Sequence, residues 1–135
     1  MNDAEQIKKN TLWTAVVNID LQLYKASVYK LRWGTPAAGI DMALPCYDEA
    51  LQVLAENDWP GGMAEQARTL AARIQKFKAT LNARDATTAS SDMTRMVYAF
   101  EDLRASVRYF PAQPPADAVG PRTAMSLPTE RLSGM

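Results

Sequence analysis

Leu12 to Trp33, LWTAVVNIDLQLYKASVYKLRW, is the stretch whose periodicity decides the fold. Its middle, Val17-Asn18-Ile19-Asp20-Leu21-Gln22-Leu23, alternates apolar and polar residues as a half-buried strand does. The alternation fails at Val16-Val17 and again at Tyr24. Placed at ~100° per residue, Leu12, Trp13, Val16, Val17, Ile19, Leu21, Leu23, Tyr24, Val28 and Leu31 share an arc of about 200°. Thr14, Asn18, Gln22, Lys25 and Arg32 take the other side. No glycine or proline interrupts residues 3 to 33, so the stretch reads as one long helix. Asp3 followed by Gln6 fits a capping box at its start, and Gly34 is placed to stop it. About thirty residues would span roughly 45 Å.

Outward from this helix, prolines and glycines divide the rest of the chain. A second helix is expected from Pro45, a residue welcome in a first turn, to about Asn57, with Tyr47, Ala50, Leu51 and Leu54 on one side. Residues 35 to 44 read equally as a loop or as an earlier helical turn kinked at Pro45. Trp59-Pro60-Gly61-Gly62 marks a turn. The third helix has the cleanest pattern, a narrow seam of Met63, Ala67, Leu70, Ile74, Phe77 and Leu81. The fourth is expected to start near Ser90 or Ser91 as cap. Its apolar face would be Met93, Met96, Val97, Phe100, Leu103, Val107 and Phe110, with Pro111 closing it. Five of the eight prolines fall in PAQPPADAVGPRTAMSLPTERLSGM, residues 111 to 135. The expected architecture is all-α: an antiparallel bundle of about four helices over residues 1–110, and a Pro-rich extended C-terminal tail over 111–135.

Charge and length refine this picture. Residues 35–62 carry five acids and no base, whereas 63–84 carry five bases and the single acid Glu65. Helices two and three can therefore face each other with opposite signs, although exposed pairs contribute only about 0–1 kcal/mol each. The first helix outruns a second helix that begins at Pro45, and its apolar arc is wider than one neighbour covers. Either residues 35–44 or another chain must cover the excess.

The composition removes much chemistry. The 135 residues contain no histidine and one cysteine, so His-ligated metal sites, Ser-His-Asp and Cys-His nucleophiles and an internal disulfide are excluded. A di-iron carboxylate bundle, which needs Glu-x-x-His motifs, goes with them. Neither an EF-hand loop nor a Gly-rich phosphate cradle is present, and no cofactor or metal is expected. Fifteen basic residues balance fifteen acidic ones, which disfavours nucleic-acid binding. The bases of the third helix spread around it and read as a solvated face. The first ten residues have no apolar run, and nothing approaches an 18-residue apolar span; a cytoplasmic, non-membrane setting is expected.

Three constellations remain. Cys46 reads as a small packed residue, its neighbours Asp48 and Glu49 having the wrong sign to favour a thiolate. Asp20, with Ser27 near the same line, sits in the apolar arc, where a carboxylate needs a cation such as Arg73 or Arg104, or serves a ligand. Tyr29 and Trp33 on the first helix, and Tyr98, Asp102 and Tyr109 with Arg95 on the fourth, lie off the expected core faces. Aromatics beside arginine are the composition of interface hot spots, and these six are the candidate partner-binding residues. The same rings could instead pack on residues 35–44 or on the tail. Val119, Met125, Leu127 and Leu132 give the tail spaced apolar points that could lie in a partner's groove.

The function these features point to is a non-enzymatic helical interaction protein: an accessory or assembly subunit, adaptor or inhibitor of a larger complex, binding a protein partner or its own copies. A phage-encoded inhibitor or virion component would look the same. The competing reading is a small ligand-binding or enzymatic bundle using Asp20, with Tyr24 or Cys46.

Overall fold

The computed structural model describes residues 1–32, 36–83 and 86–115. They form four helices, α1 (Asp3–Arg32), α2 (Pro36–Glu56), α3 (Gly62–Asn82) and α4 (Ala86–Tyr109), with no strand among the described residues. The all-α bundle expected from the sequence is thus the fold. Gly34, Trp33, Arg84 and the apolar points of the tail lie outside the described residues.

α1 is one continuous helix, but its capping box sits one residue earlier than Asp3 and Gln6. Asn2 Oδ1 accepts from the Glu5 amide at 2.8 Å, and Glu5 Oε1 accepts from the Asn2 amide at 3.1 Å. Asparagine caps as well as aspartate, and this register leaves both Asp3 and Glu5 in the first turn, against the positive end of the helix dipole.

α2 does not begin at Pro45. It begins at Pro36 and carries Pro45 inside. Either proline suits a first turn; what decides is the buried row Ile40, Ala43, Cys46 and Tyr47, Ala50, Val53 and Leu54, which runs through both halves. Pro45 cannot donate to the Asp41 carbonyl, yet both residues are exposed, so the freed carbonyl lies on the wet side of the helix. The extra turns also reduce the length mismatch: α2 has 21 residues and covers more of α1's 30 than a helix starting at Pro45 could.

α1 packs chiefly on α2 and α3 on α4, with α1–α4 and α2–α3 closing the other two sides. Tyr47 of α2 and Phe77 of α3 meet edge to face at 5.5 Å in the centre. The opposite charges of α2 and α3 give one ion pair between them, Lys78 Nζ donating to Asp48 Oδ1. All six seam residues of α3 are buried, joined by Thr80.

α4 starts at Ala86, ahead of both serines, which are exposed within the helix. The residue that turns inward nearby is Asp92, whose Oδ2 accepts from Thr80 Oγ1 at 2.5 Å in a buried contact. Its core face is Met96, Ala99, Phe100, Leu103 and Val107, and small Ala99 and Ser106 bring the helix close to its neighbours. Met93 and Val97, expected inside, are exposed at 38% and 37%, and Phe110 is half-buried. Met93 and Val97 lie at the edge of that face, whereas Phe110 packs against the core.

The α2–α3 link is held by side chains. Asn57 Nδ2 donates to the Val53 carbonyl at 2.8 Å, and the buried Trp59 indole donates to Leu54 O at 2.9 Å, so two of the last four carbonyls of α2 are satisfied. Gly61 follows at φ 53°, a conformation that disfavours any side chain, and α3 begins. Lys8 Nζ, from α1, donates to Asp58 O at 2.6 Å and ties the link to the first helix.

Candidate functional site

The arc of α1 splits into an inner and an outer part. Leu12, Ala15, Val16, Ile19 and Ala26 are buried. Trp13, Val17, Leu21 and Tyr24 are exposed at 36%, 52%, 52% and 66%. Their spacings of four, four and three place them in one row along the helix, about 17 Å from Trp13 to Tyr24. Four large apolar residues aligned in water are a different matter from scattered exposed ones, because a contiguous patch marks a contact surface.

Contacts at one end of the row tie it to the C-terminal turn of α4. The Arg108 guanidinium lies 6.0 Å from the centre of the Trp13 ring, and Lys9 Nζ donates to the Arg108 carbonyl at 2.6 Å. An open groove of about 500 Å³ lies here, lined by Gln6, Lys9, Asn10, Trp13, Thr14 and Arg108. α4 is antiparallel to α1, so each turn back from Arg108 climbs one turn along α1 from Trp13. For two straight helices this would bring Arg104 level with Val17, Glu101 with Asp20, Val97 with Tyr24 and Met93 with Val28. On that register exposed Met93 and Val97 of α4 would stand level with the far end of the row.

Of the expected partner-binding residues, Tyr29 is half-buried and packs against the core. Tyr98 and Asp102 are half-buried, each with interactions inside the chain. Arg95 is exposed and Tyr109 is 38% exposed. Trp33 lies outside the described residues.

Asp20 is exposed, which corrects its placement inside the bundle: it lies in the outer part of the arc, where a carboxylate is hydrated and needs no internal arginine. Ser27 donates to the Leu23 carbonyl of its own helix. Cys46 is buried, and that burial raises its thiol pKa, with Lys25 pulling weakly the other way. Arg68, Arg73 and Lys76 of α3 are exposed, and Arg68 pairs with Glu65 at 2.5 Å on its own helix. Among the described residues no group of three or more Cys, Asp or Glu is placed to hold a metal. No helix there is long and apolar enough to cross a membrane.

A smaller cavity of about 180 Å³ lies between the start of α3 and the end of α4. Gln66 Oε1 is buried beside it without a hydrogen-bond partner, and Ser106 also lines it. One orphan acceptor can hold one donor, which is too little to define a substrate.

The residues that sequence reasoning missed are thus Trp13, Val17, Leu21 and Tyr24 as surface of α1, and Met93 and Val97 as surface of α4. The signal was present in the breadth of the α1 arc. No known protein family, no curated protein and no solved structure matches the chain.

Proposed function

We propose that the chain is a non-enzymatic helical interaction protein, an accessory or assembly subunit, adaptor or inhibitor that works by occupying a surface. The observation that carries this reading is the row Trp13, Val17, Leu21 and Tyr24, exposed on a helix whose inner face already closes the core. Leaving such a row in water is costly, by ~25 cal/mol for each Å² of apolar surface, and a partner recovers that energy. Trp13 with Arg108 over its ring supplies the aromatic–arginine pairing typical of anchors. Exposed Tyr109 and Arg95 are available for a second contact, and the tail can wrap along a partner once the row is engaged.

The test is affinity capture from the native host with the full chain, Leu21→Lys, and a chain ending at Phe110. The expected result is a defined partner retained by the full chain, lost with Leu21→Lys and weakened by truncation. Capture of the same proteins by Leu21→Lys, or a turnover activity that survives in it, would overturn the proposal.

A further inference from the structure

We infer that the outer row of α1 binds a second copy of this chain, packed antiparallel, to form a two-fold symmetric dimer; this rests on the interaction reading above. The row nearly reads the same in both directions: an aromatic at each end, Trp13 and Tyr24, and an aliphatic residue one turn inside each, Val17 and Leu21. A two-fold axis between Asn18 and Ile19 brings Trp13 opposite the second copy's Tyr24 and leaves Val17 within one residue, about 1.5 Å, of the level of its Leu21. An isologous interface must be self-complementary in this way, residue i meeting j and j meeting i.

The flanks obey the same symmetry. The axis that pairs the rows keeps both copies of α4 on one side of the α1 pair. Val97, level with Tyr24 of its own chain, then comes level with Trp13 of the other. Exposed Val97 would therefore flank the contact.

Charge is complementary too. Asp20 is exposed and has no ion-pair partner among the described residues. Arg104, level with Val17 of its own chain, is carried by the axis to the level of Asp20 in the other copy. Its guanidinium is only loosely held at home, 3.9 Å from Glu101 Oε1 and 5.5 Å from the Phe100 ring centre. Each copy thus offers one free carboxylate and one half-exposed guanidinium where the other needs them. A contact of this length is small against the ~800 Å² per partner of a standard interface, so the dimer is reversible, with a dissociation constant in the micromolar range.

The experiment is sedimentation equilibrium of the full chain across roughly 1–100 µM, the range that such an affinity requires. Expected is a concentration-dependent rise from the 14.9 kDa monomer to twice that mass. Val17→Lys and Leu21→Lys should each abolish the rise while the helical circular dichroism stays that of the parent. Asp20→Arg and Arg104→Asp should each weaken association about ten-fold, through like charges brought face to face. An equimolar mixture of these two variants restores both cross-pairs and should associate as tightly as the parent. A parent monomeric at every concentration, association unaffected by Leu21→Lys, or a mixture no tighter than its components would overturn the inference. A monomeric parent that still loses an outside partner with Leu21→Lys would sink the second copy alone and leave the interaction reading standing.

Discussion

α3 and α1 are both amphipathic helices of one bundle, and they end in opposite situations. α3 carries a seam one residue wide, and every member of it is buried. α1 carries an arc about twice as wide as a seam needs, and only its inner half is buried. The difference lies in geometry. A helix in a four-helix bundle meets two neighbours, and side chains beyond the sector between them reach water whatever their polarity. The seam of α3 fits within that sector. The row from Trp13 to Tyr24 does not, and in the monomer it stays in water.

The comparison breaks most easily in the seam. Phe77→Ala removes the ring that meets Tyr47 and should destabilise the fold by about 3–5 kcal/mol, read as a lower urea midpoint. A loss below ~1 kcal/mol would mean the seam is no better covered than the outer row.

The polar contact beside the seam comes next. Thr80→Val keeps the shape but leaves buried Asp92 without its hydroxyl donor, at a cost of about 1–3 kcal/mol. Unchanged stability would show that Asp92 finds water or another partner there.

Alkaline pH probes the joint between α2 and the seam. Burial, helped by the neighbouring Cys46 charge, holds the Tyr47 phenol well above its ordinary pKa, and Cys46 is raised in the same sense. Each group keeps its proton to higher pH in the folded chain than in the unfolded one. Their contribution is therefore full below the ordinary values and falls as pH climbs past them, by about 1.4 kcal/mol per pH unit for the tyrosine above pH ~10. Tyr47→Phe should flatten that decline above pH ~10, and chemical unfolding at stepped pH measures it. A parent with stability independent of pH in that range would contradict the burial of the ring.

The smallest effect is expected on the outer row. Tyr24→Ser, measured in dilute solution, should change monomer stability by no more than about 0.5 kcal/mol, because the ring is two-thirds exposed. It should lower association nonetheless. A loss as large as that of Phe77→Ala would merge the two regions and remove the distinction between them.

Much of the fold was legible because its signals are local. The seam of α3 needs only the spacing of six apolar residues, and the helical reading of Leu12–Trp33 needs only the breaks in its alternation. The starts of α2 and α4 were misplaced because a cap residue states a preference and packing overrules it. Pro45 and Ser90 both look like beginnings, yet the buried row of α2 continues N-terminal to Pro45 through Ala43 and Ile40, and half-buried Ala89 packs on the core ahead of Ser90. The candidate site was legible only as an excess. The arc of α1 exceeds what one neighbour can cover, but which of its residues stay wet depends on where α4 is placed. Asp20 shows this most clearly: the wheel sets it among apolar residues, and the assembled bundle leaves that whole sector outside.

The amino-acid sequence alone settled the helical class, the number of helices, the narrow seam of α3 and the absence of histidine chemistry, since each follows from residue type and spacing along the chain. Tertiary structure alone decided that α2 runs through Pro45, that Asp92 rather than a serine turns inward, and that half of α1's apolar arc faces out. Those outcomes depend on the direction from which neighbouring helices approach, a property of the packed assembly that no single helix encodes.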